Sequence, residues 1–257
     1  MLDSLYAGSL ADAATRQELV SIQEVERLAL ATAPALNALQ FLAPANHIKV
    51  LAEVKRASPS KGDMAEIADP AGLAQIYADN GASAISVLTE QRKFKGSLDD
   101  LRAVRARVSV PLLRKDFIAN EYQILEARAA GADIVLLIVA GLDQAELVRL
   151  KDFAEQLGMT AFIETHDRDE VLRALDTGAK FIGVNARNLS TFETDRDLFA
   201  TLVDLFPADV IKVAESAVRN VDDVRHYRQS GADVVLVGEA LVTNNPAEML
   251  KSFLAVQ

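Results

Sequence analysis

Cysteine and tryptophan are absent from the 257-residue chain, and histidine occurs only three times. Without cysteine the protein can form no disulfide, no thiolate nucleophile and no thiolate metal ligand. The histidines His47, His166 and His226 are scattered without metal-ligand spacing, although His166 stands close to the end of an apolar run. We expect a surface or packing role for each of them. The sequence therefore predicts neither a metal site nor a bound cofactor.

Positive charge is also scarce. The chain has 27 lysine and arginine residues against 37 aspartate and glutamate residues, which gives a net charge of −10. This balance argues against nucleic acid and anionic membrane as partners. An anionic small molecule would need a local basic site. The first residues lack the basic and apolar regions of a signal peptide, and the most apolar stretch, residues 134–142, is far shorter than the roughly 20 residues of a membrane helix. We therefore expect a cytoplasmic protein.

Four segments of the chain resemble each other. They read NGASAISVL, AGADIVLLI, TGAKFIGVN and SGADVVLVG, and in each a helical pattern ends in glycine before an apolar run. Glycine at a helix end adopts the left-handed conformation that stops the helix. These glycines are 50, 47 and 53 residues apart, and they are Gly81, Gly131, Gly178 and Gly231. Because this spacing is about twice the length of one strand–helix unit, a second strand is expected between each pair.

Four further apolar runs supply the missing strands: IKVLAEV, PLLRKDF, TAFIET and VIKVAES. Eight strands that alternate with helices indicate a parallel sheet closed into a (β/α)8 TIM barrel, an α/β fold. The structural alternative is an open doubly wound sheet, but no GxGxxG fingerprint follows the first strand. We expect a single domain over residues 1–257, in which residues 1–47 form an N-terminal helical extension that caps one end of the barrel.

Charged residues stand at the ends of the odd-numbered strands. They are Glu53 and Lys55 on the first strand, Lys115 on the third, Glu164 on the fifth and Glu215 on the seventh. In this fold, each layer of inward side chains comes from alternate strands, and the active site occupies the C-terminal mouth. All but Lys55 are therefore predicted to form one inward ring, with Lys55 one step nearer to solvent. A strand that runs out into solvent explains one such end, but not four in register.

A second signal follows the seventh and eighth strands, where such barrels often bind phosphate through backbone amides. The two loops begin AESAV and VGEAL. Ser216 offers a hydroxyl, and Gly238 allows the backbone to approach an anion closely. Glu239 suits a phosphate only if its side chain points away and its amide is used. Two ordinary helix starts are the alternative explanation.

Apolar residues near the mouth are candidates to line a pocket for an aromatic ring. They are Phe94, Phe117, Leu136 and Leu189. Core packing explains any one of them equally well.

The chain resembles indole-3-glycerol-phosphate synthase, an enzyme of tryptophan biosynthesis. The stretches that carry the resemblance appear in the family's order over residues 48–242. They are LAEVKRASPSKG, SVLTEQRKFKGSLDDL, PLLRKDFI, EARAAGAD, IETH, IGVNARNL, AESAV and LVGEAL. In one respect the chain departs from the family, because Ala217 stands where the family commonly has glycine. Alanine keeps the amide at the presumed phosphate site, but its backbone is less free.

The resemblance implies active-site roles for Glu53, Lys55, Lys115, Glu164, Asn185, Glu215 and Ser216. It also implies that Ser58, Arg187 and the backbone at Ser216-Ala217 and Gly238-Glu239 hold the substrate's anionic groups. The implied substrate, a carboxyphenylamino-deoxyribulose phosphate, carries a carboxylate and a phosphate, and its conversion requires ring closure, decarboxylation and dehydration. The chemistry needs two acids and a base, and the sequence leaves open whether Lys55 or Glu164 is the acid in dehydration.

Two other interpretations remain at this point. One is a different phosphate-binding barrel enzyme, an isomerase or a Schiff-base aldolase, and the other is a barrel that binds a metabolite without catalysis. The missing cysteine argues against the isomerase of the preceding pathway step, which would be expected to use a Cys–Asp pair. The complete charged ring argues against a sensor, which need keep only a phosphate site. We expect the protein to act as a monomer.

Overall fold

A closed barrel of eight parallel strands forms the centre of the computed structural model, which describes residues 1–188, 191 and 193–257. The barrel strands are β1 (Lys49–Val54), β4 (Ala84–Leu88), β5 (Leu112–Lys115), β6 (Ile134–Ile138), β7 (Thr160–Thr165), β8 (Phe181–Asn185), β9 (Ile211–Glu215) and β10 (Val234–Val237). A small antiparallel hairpin, β2 (Ala57–Ser58) and β3 (Gly62–Asp63), follows β1. Because β1 pairs with both β4 and β10, the sheet has no free edge. The predicted (β/α)8 fold is confirmed.

Helices follow the barrel strands along the chain and shield their outer side chains from water. The helices are α1 (Leu2–Leu19), α2 (Ile22–Ala31), α3 (Ala38–Phe41), α4 (Pro70–Asp79), α5 (Leu98–Arg105), α6 (Glu121–Ala129), α7 (Gln144–Gln156), α8 (Arg168–Asp176), α9 (Leu198–Leu202), α10 (Val221–Gln229), α11 (Glu239–Val242) and α12 (Pro246–Leu254). The strands are buried almost throughout, since the barrel interior covers one face and the helices cover the other.

Short polar side chains start most of these helices. Asp69, Ser97, Asn120, Asp143 and Asp167 each accept a hydrogen bond from a backbone amide of the first turn of α4, α5, α6, α7 and α8 respectively. At the other end, the four glycines of the repeat all have φ between +75° and +95°. Their predicted role as left-handed helix stops is confirmed.

The N-terminal extension spans the barrel from one end to the other. The side chain of Leu5 on α1 reaches the C-terminal mouth, where it lines a cavity. The helix α2 packs against α6 on the outside. At the opposite end, the amide of Leu36 donates to Asp133, which directly precedes β6, and Leu42 is fully buried in the core. The extension therefore has contacts near the N-terminal end of the barrel and also contributes to the mouth.

A buried network of charges attaches α1 to the outer face of β5. The side chain of Arg114 is fully buried, and its Nη2 lies 3.0 Å from Oδ2 of Asp116. Ser9 on α1 donates to the other oxygen of Asp116 at 2.9 Å, and Arg16 on the same helix pairs with Glu126 on α6. Arg114 also lies 3.4 Å from Glu126. As strand alternation predicts, Arg114 and Asp116 thus face away from the barrel interior.

We expect Arg114→Met to reduce stability rather than rate. The substitution leaves the buried Asp116 carboxylate without its cation, and losing one partner of a buried ion pair costs about 3–5 kcal/mol. Urea denaturation should show this loss in the free energy of unfolding, while the folded fraction keeps a kcat close to that of the parent. An unchanged unfolding free energy together with a collapsed kcat would mean that Arg114 faces the site instead.

Candidate active site

The charged strand ends meet at the C-terminal mouth of the barrel. Lys115 Nζ lies 2.8 Å from Glu215 Oε2 and 3.2 Å from Glu164 Oε2. On β1, Glu53 Oε2 lies 2.9 Å from Lys55 Nζ. The three carboxylate residues are only 1–2% exposed. The structure thus brings together all five residues of the predicted charged layer.

Asn185 connects this charged layer to the loop after β9. Its Nδ2 donates to Glu164 Oε1 at 3.0 Å. Its Oδ1 accepts hydrogen bonds from the Ser216 hydroxyl at 2.8 Å and from the Arg187 amide at 3.0 Å. Asn185 and Glu215 are also register partners on adjacent strands. One amide side chain therefore links a carboxylate of the ring to the two neighbouring loops.

Burial and the charges of the ring together shift the pKa values of Glu164 and Glu215 in opposite directions. Burial disfavours the Lys115 cation, but Glu215, Glu164 and Glu53 outweigh burial and raise the pKa of Lys115 above its usual value. Burial also disfavours ionised Glu164, but Lys115, His166 and Asn185 lower the pKa of Glu164. The pKa of Glu215 is raised, first by burial and then by the charge of Glu164. The ring therefore holds a charged lysine between Glu164, whose ionised form is favoured, and Glu215, whose pKa is shifted upward.

Two glycines make room for these carboxylates. A Cβ atom at Gly183 on β8 would lie 2.4 Å from Glu215 Oε1 and 2.7 Å from the ring of Phe162. A Cβ atom at Gly238 would lie 2.5 Å from Glu53 Oε2 and 3.2 Å from Lys55 Nζ. Gly238 thus has a second reason for being glycine besides the predicted approach of an anion. Gly183 could not be singled out from the sequence, because only the position of the Glu215 side chain against it distinguishes this glycine.

A cavity of about 460 Å³ opens above the ring. Most of the predicted site residues line it, namely Glu53, Lys55, Ser58, Phe94, Lys115, Phe117, Arg187, Glu215, Ser216, Ala217, Gly238 and Glu239. Glu164 and Asn185 are not part of the lining, although both contact residues that are. Leu5 on α1 and Leu88 on β4 also line the cavity, and the sequence analysis missed both.

Aromatic side chains form one wall of the cavity. The ring centroids of Phe94 and Phe117 are 6.1 Å apart, and Tyr6 on α1 packs edge-on against Phe117 at 5.7 Å. Leu136 is not part of this wall. It is the register partner of Phe162, two residues before the pair Ile138 and Glu164, so it lies one layer deeper in the barrel. Leu189 lies outside the described residues.

The loop after β9 has an unusual backbone. Ser216 and Ala217 have φ of +67° and +56°, a left-handed conformation that side chains with a Cβ rarely adopt. Tyr227 on α10 donates to the Ser216 carbonyl at 3.2 Å and helps to hold the loop. The site thus contains the backbone geometry that glycine would satisfy more easily than Ala217.

Basic side chains surround this end of the cavity. Lys61, Arg187 and Arg219 contribute to its lining. Two of these cations have acidic partners, since Lys61 Nζ lies 3.2 Å from the Glu239 carboxylate and Arg219 Nε lies 3.1 Å from Asp223. Arg187 Nη1 donates to Ser60 of the hairpin loop at 3.0 Å. The acidic protein therefore places three cations at this end of the mouth, two of them in ion pairs.

His166 was expected to have only a surface or packing role, but it contacts the ring. It directly follows β7, its side chain is only 13% exposed, and its Nε2 lies 3.3 Å from Glu164 Oε1. The signal in the sequence is its position two residues after Glu164, which puts both on the same face of an extended chain. His47 and His226 have their contacts elsewhere, with Asn46 and Asp197 respectively.

The described residues contain neither a candidate metal site nor a membrane-spanning helix. Within residues 1–188, 191 and 193–257, no group of three or more His, Cys, Asp or Glu side chains could hold a metal ion. None of the helices described is both long enough and apolar enough to cross a membrane.

Comparison with known proteins gives a consistent result. A family model described as indole-3-glycerol phosphate synthase matches residues 2–253. The protein of that name from Leifsonia xyli is 60% identical over 256 residues, which cover 100% of this chain and 98% of the relative. The corresponding protein from Arthrobacter sp. is 54% identical, with coverage of 99% and 96%, and that of Mycobacterium avium is 56% identical, with coverage of 94% and 89%.

Solved structures with low sequence identity share the fold. The 3-hexulose-6-phosphate synthase of Salmonella typhimurium superposes with a TM-score of 0.62 at 16% identity and covers 81% of this chain and 98% of its own. A thiamine phosphate pyrophosphorylase of Pyrococcus furiosus gives a TM-score of 0.60 at 15% identity, with coverage of 80% and 93%. At such identities, the likeness supports the barrel architecture and nothing more specific.

The left-handed backbone at Ala217 leads to a stability prediction. A left-handed conformation costs a residue with a Cβ about 1–2 kcal/mol, and the greater freedom of unfolded glycine offsets about 0.5–1 kcal/mol of that. Ala217→Gly should therefore raise the free energy of unfolding slightly in chemical denaturation. The matched control is Ala214→Gly in the regular part of β9, which should lower it. If both variants lost stability alike, Ala217 would not be strained.

Proposed function

The chain belongs to the indole-3-glycerol phosphate synthase family, and on that premise we propose how its charged ring carries out the family's reaction. The protein is a carboxy-lyase of tryptophan biosynthesis. It converts 1-(2-carboxyphenylamino)-1-deoxyribulose 5-phosphate into indole-3-glycerol phosphate by ring closure, decarboxylation and dehydration. The observation that carries the proposal is the half-buried Lys115 ammonium between Glu164 and Glu215, below a cavity that three cations line at one end and aromatic rings line at the other.

The two ends of the cavity suit the two ends of the substrate. The phosphate would lie beside the amides of Ala217 and Glu239, with Ser216 and the cations Lys61, Arg187 and Arg219 around it. The aryl ring would pack against Phe94 and Phe117. Ser58 lines the same cavity and would contact an anionic group of the substrate. This arrangement holds the ketone of the sugar chain above Lys115.

Ring closure requires a proton on the ketone oxygen. The ring carbon that carries the carboxylate donates an electron pair to the ketone carbon, and the ketone oxygen becomes a hydroxyl group. Lys115 is the proposed donor, because its surroundings keep it protonated until negative charge develops on that oxygen. CO₂ then leaves, and the electron pair of the broken carbon–carbon bond restores the aromatic ring.

Dehydration requires a base and a second acid. The base removes a proton from the methylene carbon beside the nitrogen, and the acid protonates the departing hydroxyl. Glu164 is the proposed base, because Lys115, His166 and Asn185 keep it ionised. An ionised carboxylate is a poor acid, so of Lys55 and Glu164 we assign the second protonation to Lys55. The oxygen that leaves is the former ketone oxygen, so Lys55 and Lys115 must both reach it. Against the effect of burial, both lysines lower the pKa of Glu53, which is consistent with their lying on the same side of the site.

The alternative functions are not favoured. The family match and the high identity of the relatives point to one reaction. An aldolase would use a neutral lysine as a Schiff-base nucleophile, whereas Lys55 and Lys115 are both held in ion pairs.

Four further features are part of the proposal. Residues 1–257 would form one domain with residues 1–47 as its extension, and the enzyme would act as a monomer in the cytoplasm without binding nucleic acid. The net charge of −10 supports the last point, and the interlocking of α1 with β5 and α6 supports the first.

Lys115→Met tests the proposed acid. The variant keeps the length of the side chain but removes its proton and charge, and kcat should fall by at least about 10²-fold, the usual scale for a lost general acid. Indole fluorescence after addition of the substrate measures the rate, and circular dichroism confirms folding. The matched control is Lys212→Met, because Lys212 is equally exposed at 17% and also ion-paired, with Asp233, but lies on β9 far from the mouth. Comparable rates for the two variants would contradict the assignment.

A crystal soaked in phosphate or sulfate tests the proposed orientation of the substrate. We expect an anion beside the amides of Ala217 and Glu239, because those groups and the nearby basic side chains attract negative charge. In solution, phosphate should compete with the substrate. Anions found only at distant surface positions, together with a lack of competition, would require the substrate to be turned around.

A further inference from the structure

His166 lies between two carboxylates. Its Nδ1 is 3.0 Å from Oε2 of Glu170 on α8, and its Nε2 is 3.3 Å from Oε1 of Glu164 on β7. The Nε2 atom is fully buried and lacks the alignment of a regular hydrogen bond, so its contact with Glu164 is that of neighbouring charges. Carboxylates only accept protons, so a ring placed between two of them is satisfied when both of its nitrogens carry hydrogen. The geometry thus favours the imidazolium form.

Glu170 fixes the orientation of the ring. Its Oε2 accepts hydrogen bonds from the His166 backbone amide at 2.8 Å and from Nδ1 at 3.0 Å. The Glu170 amide is itself held by Asp167, which starts α8. The helix start therefore aims the imidazole edge at Glu164.

We propose that His166, held by Glu170, is a positioning residue that keeps Glu164 ionised and oriented as the base of the reaction. The inference rests on the role proposed above for Glu164. It adds a residue that does not itself need to touch the substrate, together with a second residue that holds the first.

The need for such a cation follows from the order of the proton transfers. Glu164 has three partners, with Lys115 at Oε2 and Asn185 and His166 at Oε1. When Lys115 gives its proton to the ketone oxygen, Glu164 loses its first counter-ion. The buried carboxylate would then tend to take up a proton before the dehydration step. The imidazolium stays in place and prevents this.

The surrounding charges are consistent with this role. The pKa of His166 is raised to about 10, because Glu164 and Glu170 together outweigh burial. Tyr6 on α1 also experiences both carboxylates, but burial and their charges raise its pKa, so it stays neutral. Glu164 contacts both Lys115 on β5 and the imidazole of His166 and so lies between the two cations. The charged groups nearest to the imidazole are therefore its two carboxylate neighbours.

His166→Gln removes the charge while keeping a donor of similar reach, and its matched control is His226→Gln on α10. We expect His166→Gln to lower kcat about tenfold, the effect of about one lost charge-assisted contact, with little change in KM. The pKa of Glu164 rises when a cation is removed, so the acidic limb of the kcat–pH profile should move to higher pH. Glu170→Gln should move it in the same direction, and the double variant should be less affected than independent effects predict. A lowered melting temperature with an unmoved pH profile would reduce His166 to a structural residue.

A direct measurement keeps the inference testable if a variant fails to fold. Nuclear magnetic resonance of the intact enzyme with labelled histidine should show His166 protonated at both nitrogens at pH 8. A neutral His166 would overturn the inference. If His166 were protonated and Lys115→Met were nevertheless active, the proposed mechanism would fail while the charge state of His166 would stand.

Discussion

The site depends on the contacts of the Lys115 ammonium group with the carboxyl groups of Glu164 and Glu215. Buried carboxylates are costly unless a cation compensates them, and Lys115 provides that compensation for Glu164 and Glu215 at once. Within the same ring the pKa values of the two carboxyl groups shift in opposite directions, down for Glu164 and up for Glu215. Two residues of one chemical type thus differ in acidity because their surroundings differ.

Several other features of the molecule serve this charged layer. Gly183 and Gly238 leave space for Glu215 and Glu53, where a methyl group would collide with them. The N-terminal extension places Leu5 at the cavity and Tyr6 against Phe117, and Ser9 holds α1 to the strand that carries Lys115. The extension is therefore part of the site as well as a cover for the barrel. Shape and charge at the mouth come from segments that are far apart in the chain.

Much of this arrangement was predictable from the sequence because parallel strands alternate their side chains and end at a common edge. That rule predicted the ring around Lys115. The departure from glycine at Ala217 was noted in the sequence, but the left-handed backbone of Ser216 and Ala217 is known only from the structure. The alternation rule could not decide whether Leu136 lines a pocket or packs in the core, since depth in a barrel depends on the stagger between strands, which a single strand does not reveal. The orientation of His166 was not predictable, because it depends on hydrogen bonds with Glu170 four residues later and on the start of α8. Gly183 could not be recognised from the sequence, because its role is to leave open the space that a Cβ atom would take from Glu215.

The strand β5 has a consequence for the fidelity of folding. Its consecutive residues Arg114, Lys115 and Asp116 carry charge on both faces, and each face meets a different set of partners. A slip of one residue would turn Lys115 away from Glu164 and Glu215 and would turn Arg114 and Asp116 inward, away from their partners on the outer face. An apolar strand could make such an error at little cost, because either of its faces is acceptable to a hydrophobic surrounding. Here a misaligned strand would separate buried charges from their partners on both faces. The residues assigned to catalysis thereby also make the chain reject its nearest incorrect register.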